Sequence, residues 1–329
     1  MKFTFIDLFA GIGGIRIAFD RAGGKCVFTS EWDKYCQTMY QANFGEAPHG
    51  DITKINTEEI PDHDILTGGF PCQAFSIIGN KLGFSDTRGT LFFEIERIIK
   101  AKQPKAFLLE NVKQLTSHDK GRTFKIILEK LENLGYFVHY KVLNGLNFGV
   151  PQKRERIIIV GFKENYPFEF PKNGTESKTL AEILEPTHKI DKKHFLSDYF
   201  FNKLQRRLVE QNKKPLSKPS VWHENKSGNI GMYPHSCALR ANGSYNYLTV
   251  NGERRLTPRE MLRLQGFPDE FKIVVPDTQA RKQAGNSVVI PKIEAVARAM
   301  VHAMGLEPQS RPAQFNLFLN DKIEKTYAH

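Results

Sequence analysis

Four side chains of this 329-residue sequence have the types and neighbours needed for chemistry on an electron-poor ring: Cys72, Glu110, Arg154 and Arg156. Cys72 stands in Gly69-Phe70-Pro71-Cys72-Gln73-Ala74-Phe75-Ser76. A free cysteine is usually a small buried hydrophobe. Here a proline follows a strand's carboxyl end and fixes the backbone so that the thiol is presented, and nearby arginines or a helix N-terminus would favour its thiolate. Glu110 closes an apolar strand in Glu110-Asn111-Val112. An acid at that position faces a crevice, where partial desolvation suits it to give or share a proton. In Gln152-Lys153-Arg154-Glu155-Arg156, strand alternation puts Arg154 and Arg156 on one face. Two inward guanidiniums require an anionic or carbonyl partner. Together these groups suit one reaction. A thiolate adds to a ring carbon, the acid engages the ring nitrogen, and the neighbouring carbon becomes a nucleophile able to take a methyl group from a sulfonium.

A second group of residues would hold a cofactor. Phe9-Ala10-Gly11-Ile12-Gly13-Gly14 joins a strand to a helix, where glycines let a ligand approach the backbone and the helix N–H groups point at it. Alone, such a run is equally compatible with a tight turn. Glu31, 20 residues past Gly11 at the end of the next strand, adds an acceptor for ribose hydroxyls. Trp32 offers a flat wall for a purine, and Asp51 in Gly50-Asp51-Ile52 an acceptor for an adenine amino group. An adenosine-type cofactor follows, with NAD and S-adenosylmethionine both open at this point. Pro71-Cys72 separates them, because hydride transfer needs no such nucleophile.

The elements that position these residues alternate. Strands are expected at Phe3–Phe9, Cys26–Thr29, Asp64–Thr67, Lys105–Leu109, Val138–Leu143 and Arg156–Phe162. Helices are expected from Ile15 to Gly23, at Asp33–Asn43, Leu91–Ala101 and Arg122–Leu134. That order predicts a mostly parallel, doubly wound α/β sheet with ligands at the strand carboxyl ends. From about Tyr166 the period fails. Pro167, Pro171, Pro186, Pro215, Pro219 and Pro234 mark irregular or short-stranded structure. Helical pattern returns at Thr257–Gln265, opened by Thr257-Pro258-x-Glu260, and at Pro291–Met304.

Composition excludes several classes. No apolar run approaches the ~18 residues needed to span a bilayer, and Asp7 interrupts what would be a signal peptide's apolar stretch. The four cysteines, Cys26, Cys36, Cys72 and Cys237, have no metal-finger spacing and are too sparse for a disulfide framework, which fits a reducing cytoplasm. The formal net charge is +11, and residues 186–230 hold ten Lys/Arg against four Asp/Glu. A basic segment of that kind suits a polyanionic partner.

The joint pattern resembles the bacterial DNA cytosine-5 methyltransferases of restriction–modification systems. The resemblance runs in order through Asp7-Leu8-Phe9-Ala10-Gly11-x-Gly13-Gly14, Glu31-Trp32, Gly50-Asp51-Ile52, Gly69-Phe70-Pro71-Cys72-Gln73, Glu110-Asn111-Val112 and Gln152-x-Arg154-x-Arg156. It continues with Arg255-Leu256-Thr257-Pro258-Arg259-Glu260, Gln265-Gly266-Phe267-Pro268 and Gly285-Asn286-Ser287-Val288, so that it spans nearly the whole chain. It implies a Rossmann-like methyltransferase domain at 1–184, a smaller, irregular, mostly-β target-recognition domain at 185–280, and a C-terminal segment, 281–329, returning to the first.

By this resemblance Cys72 attacks C6 of cytosine, Glu110 holds N3 and the exocyclic amine, Arg156 holds the O2 edge, and Arg154 supports Cys72 and its loop. S-adenosyl-L-methionine is the implied cofactor, leaving as S-adenosyl-L-homocysteine, with no metal. Phe9, Ala10, Gly11, Gly13 and Gly14 would line its pocket with Glu31, Trp32, Asp51, Ile52 and Pro71, closed by Asn286 and Ser287. The target base must be swung out of the duplex. The 70–90 segment resembles the loop that closes over it, with Ser76, Lys81 and Arg88 toward DNA. Arg240, Asn242, Ser244 and Tyr245 are candidate readers of double-stranded DNA. A cytoplasmic monomer, with a cognate restriction endonuclease as a functional and not a physical partner, completes the expectation. The alternatives are a tRNA cytosine-5 methyltransferase, a catalytically silent DNA-binding relative, and a nicotinamide-dependent oxidoreductase.

Overall fold

The structure, a computed structural model, describes residues 3–70, 91–174, 177–217, 219–241, 243 and 247–306. The first half contains β1 (Phe3–Leu8), α1 (Gly14–Arg21), β2 (Gly24–Ser30), α2 (Lys34–Phe44), β3 (Ile65–Gly69), α3 (Leu91–Lys102) and β4 (Ala106–Val112). It continues with α4 (Arg122–Asn133), β5 (Phe137–Asn144), β6 (Gln152–Lys153) and β7 (Glu155–Phe162). Six strands form one sheet in the order β2-β1-β3-β4-β7-β5. The pairs β1–β2, β1–β3 and β3–β4 are parallel, while β7 runs antiparallel to both β4 and β5.

Period-two alternation splits the core into two layers, one on each side of the sheet. Phe5, Ile65, Leu108, Ile158 and Val160 face one side, where Ile15, Ala18 and Phe19 of α1 pack with Ile293, Val296 and Met300 near the C-terminus. Ile6, Leu66, Phe107, Leu109 and Ile159 face the other, against Ile95 and Ile99 of α3 and Ile127 and Leu131 of α4. Both faces are covered by helices, as a parallel sheet requires.

One buried acid does not fit this apolar interior. Asp7 is fully buried; its Oδ1 accepts from the Thr67 hydroxyl at 3.0 Å, and Oδ2 has no hydrogen-bond partner among the described residues. Burial pushes its carboxyl from 3.8 up to about 7. The folded protein therefore keeps a proton that the unfolded chain loses above pH ~4, and this group's contribution to stability falls as pH rises through about 7. Asp7→Asn is expected to remove that slope. Its urea midpoint, relative to wild type, should be higher at pH 8 than at pH 4.

The second half contains α5 (Leu180–Ile183), α6 (Asp198–Glu210), β8 (Val221–Glu224), β9 (Ile230–Tyr233), β10 (Ser236–Cys237), β11 (Leu248–Val250) and β12 (Arg254–Arg255). A four-stranded antiparallel sheet has the order β12-β11-β8-β9, and Leu204 and Leu208 of α6 cover Trp222 and Ile230 on it. Short strands were expected here; α6 was not. Its aromatic Tyr199, Phe200 and Phe201 are exposed, so of its apolar residues only Leu204 and Leu208 mark its buried face. The chain returns through α7 (Pro258–Gln265), α8 (Asp277–Asn286) and α9 (Ile290–Ala303). The expected boundary at 280 falls inside α8, and α7 already packs into the first core through Met261, Leu262 and Leu264.

Candidate active site

A cavity of about 360 Å³ opens at the carboxyl ends of β1, β2, β3 and β4. The chain leaves β1 there and turns through Phe9 (φ 58°) and Gly11 (φ 56°), bringing the Gly11 N–H to Glu31 Oε2 at 2.8 Å. Glu31 Oε1 accepts from the Asp33 N–H, also at 2.8 Å. Burial raises the Glu31 carboxyl, and these two backbone donors oppose the rise. The expected ribose acceptor thus also ties the glycine turn to the end of β2. Trp32 beside it is 79% exposed and lines the cavity.

Phe9, Ala10, Gly11, Gly14, Asn286 and Ser287 also line the cavity; Gly13, Asp51 and Ile52 are not among its lining residues. Asp51 instead caps the short turn Ile52–Lys54, accepting from Thr53 N and Oγ1, while Ile52 is buried. Gly14 has a steric reason to lack a side chain: a Cβ there would lie 2.7 Å from Ser287 Oγ, where α1 meets the C-terminal segment.

The opposite wall is ionic. Glu110, on β4 opposite Ile158 of β7, is nearly buried, and Arg156 Nε lies 3.4 Å from its Oε1. Arg154 is also on this wall but bonds elsewhere. Its guanidinium donates to the carbonyls of Leu239 (2.6 Å), Gly285 (3.0 Å) and Ser287 (2.7 Å). Burial and neighbouring Arg156 push it down to about 9, still charged at neutral pH. The two guanidiniums therefore find the two kinds of partner their types require, a carboxylate for Arg156 and carbonyls for Arg154. Arg154 is a clasp: it joins the strand end to the 239–241 segment and to the end of α8, which touch so closely that a Cβ on Gly285 would lie 2.4 Å from the Ala241 nitrogen. Its expected support of Cys72 concerns a residue outside the described ones.

Among the cavity residues not singled out from sequence are two of α8. Lys282 of α8 pairs with Asp33 at 2.8 Å. Gln283 is buried on the wall with both amide atoms lacking a hydrogen-bond partner among the described residues. They lie three and two residues before Gly285-Asn286-Ser287, so a helix ending at that motif was the available signal. Pro71, Cys72, Ser76, Lys81, Arg88, Asn242, Ser244 and Tyr245 lie outside the described residues. Arg240 lies within them, its guanidinium 5.5 Å from the centre of the Tyr247 ring.

The fold is α/β, and the crevice at the carboxyl ends of its strands, walled by glycine turns, an exposed indole and an ionic cluster, lies where such sheets take their ligands. The sequence model of the C-5 cytosine-specific DNA methylases matches residues 3–302. The type II methyltransferase M.NgoBI of Neisseria gonorrhoeae is 61% identical over 293 residues, covering 89% of this chain and 91% of that protein. M.HaeII of Haemophilus aegyptius is 59% identical over 305 residues, covering 93% and 95%. The solved Entamoeba histolytica methyltransferase EhMeth shares the fold, with a TM-score of 0.75, 17% identity, and coverage of 92% of this chain and 99% of its own. The chain belongs to the C-5 cytosine-specific DNA methylase family and is a DNA cytosine-5 methyltransferase of the type II, restriction–modification kind.

Proposed function

We propose that the cavity holds S-adenosyl-L-methionine and that a flipped cytosine of double-stranded DNA meets it at Glu110 and Arg156. The observation that carries this reading is the Glu110–Arg156 pair on the same cavity wall as Phe70, from which the sequence runs directly to Pro71-Cys72. The residues suit the cofactor. Trp32 presents a bare indole face for adenine, Glu31 keeps acceptor capacity for ribose, and the buried Gln283 amide has both ends unpaired among the described residues. When bound, S-adenosylmethionine supplies an electrophilic methyl group on sulfur.

The chain's own side chains do the rest. Cys72 adds to C6 of cytosine. Glu110 hydrogen-bonds N3 and the exocyclic amine, which selects cytosine and offsets charge on the ring, while Arg156 holds both Glu110 and the O2 edge. C5 takes the methyl group and gives its proton to solvent water, and expulsion of the thiolate releases 5-methylcytosine. Burial raises the thiols of Cys26, Cys36 and Cys237, that of Cys26 to about 12, which leaves Cys72 as the cysteine suited to this role. Arg154 acts at one remove, fixing Ser287 and the 239–241 segment.

The 185–280 segment reads the target, with Arg240, Asn242, Ser244 and Tyr245 toward bases or phosphates. Ser76, Lys81 and Arg88 accompany loop closure over the flipped base. The enzyme acts as a monomer on the DNA of its bacterial host in the cytoplasm. It protects that DNA from a nuclease of the same specificity, a partner in function only.

Incubation with methyl-labelled S-adenosylmethionine and mixed-sequence duplex, followed by base-resolution mapping, is expected to place 5-methylcytosine in one short motif. Label in tRNA with none in duplex DNA would overturn the reading of the substrate.

A further inference from the structure

Lys292, in the first turn of α9, is completely buried, and its Nζ has no hydrogen-bond partner among the described residues. Lysine is almost never fully buried unless paired. The charged groups acting on it are Glu110 of β4, Arg156 of β7 and Arg154 of the β6–β7 link. Glu110 Oε1 is itself buried without a hydrogen bond among the described residues, beside Arg156 at 3.4 Å. Fully charged, this cluster would hold three cations and one anion inside the protein. The guanidiniums cannot release a proton at working pH, and the ammonium can. Burial lowers Lys292 from 10.5 to about 7; Glu110 works against that shift, and the two arginines work with it. Nothing in the reaction described above uses this group.

We propose that Lys292 is a positioning residue that acts through Glu110 as its internal proton source. This rests on the reading of Glu110 as the partner of cytosine N3. As the thiolate adds to C6, negative charge builds on the ring, and the Glu110 carboxylate relays to N3 a proton drawn from Lys292. An Nζ–H bond of Lys292 breaks, the electron pair stays on nitrogen as a neutral amine, and the O–H bond formed on Glu110 breaks in turn as N3–H forms. When C5 has given its proton to solvent water and the thiolate leaves, the N3 proton returns through Glu110 to Lys292. No oxidant is required.

Only the ammonium form donates, so wild-type kcat is expected to fall as pH rises through the lysine's titration near 7. Lys292→Met keeps the volume and removes the buried cation. It is expected to lower kcat about a hundredfold and to abolish that alkaline limb. Cofactor affinity should be unchanged, and the unfolding midpoint equal to or above wild type. A residue of purely structural importance would give the reverse, a lower midpoint with kcat and pH profile intact, and that result overturns the proposal.

A measurement on wild type decides the matter if the variant does not fold. In protein labelled with 15N-lysine, the Lys292 Nζ resonance should titrate near 7 and move lower in Glu110→Gln, which removes the anion. An ordinary titration near 10.5, or no shift in Glu110→Gln, overturns it equally. Wild type that methylates tRNA but no DNA would displace the reading of the substrate and leave the nitrogen titration to judge Lys292.

Discussion

Cys72→Ala is expected to leave no methyl transfer above about one ten-thousandth of wild type, because the variant has no nucleophile to make C5 reactive. Cofactor and duplex binding should survive, since Trp32, Glu31 and the Arg154 clasp are untouched. Isothermal titration with S-adenosylmethionine and a gel-shift with duplex measure the two retained functions. Loss of both together with activity would show instead that Cys72 is structural. A duplex carrying 5-fluorocytosine tests the covalent step itself. Fluorine at C5 cannot leave as a proton does, so the adduct persists: wild type should be trapped as a denaturation-resistant complex, and Cys72→Ala should not. A wild-type enzyme that binds this duplex without being trapped would support the silent-relative alternative.

The second large effect is on stability. Arg254 and Glu260 form a buried bidentate pair, Nη1 to Oε2 at 2.9 Å and Nη2 to Oε1 at 2.8 Å. The same carboxylate accepts from the backbone N–H groups of Thr257 and Glu185 at 2.9 Å each. Glu260→Ala leaves the Arg254 charge and two backbone donors inside the protein without their acceptor, a loss of about 3–5 kcal/mol. Denaturant midpoints at constant slope measure it. Arg254→Met/Glu260→Leu together should recover most of the loss, because a packed apolar pair removes the stranded charge. If Glu260→Ala costs under about 1 kcal/mol, water reaches Arg254 and the pair is not truly buried.

This pair shows how far the sequence could be read. Thr257-Pro258-x-Glu260 announced a helix start, and the structure contains the full capping box, with the Thr257 side chain on Glu260 N and the Glu260 side chain on Thr257 N. That Glu260 also neutralises Arg254 and receives Glu185 depends on three segments meeting in space, which no local pattern encodes. The same division holds at the site. Gly11, Glu31, Trp32 and Glu110 were legible because each sits at or just past a strand's carboxyl end, where chain direction points it into the crevice; Arg156 opens β7 and reaches the same edge because β7 runs antiparallel to β4. Arg154 and Arg156 were placed on one face by alternation, but the carbonyls that claim Arg154 lie 85 to 133 residues further on. Lys292 was invisible for a related reason: it stands in a helix start where a lysine reads as solvated, and only the packing of α9 into the core it shares with α1 and the sheet buries it.

The partnership of α1 and α9 has a consequence for how the chain is made. Ile15, Ala18 and Phe19 share one core with Ile290, Ile293 and Met300, and Arg298 donates to the Arg21 carbonyl at 2.8 Å. One of the first helices to leave the ribosome therefore has no cover until one of the last has been synthesised. At about 5–20 residues per second the wait is roughly 15 to 55 s, during which an apolar helix face and half a sheet stay open to other nascent chains. A ribosome that stops short of residue 290 releases a chain that cannot close its own core.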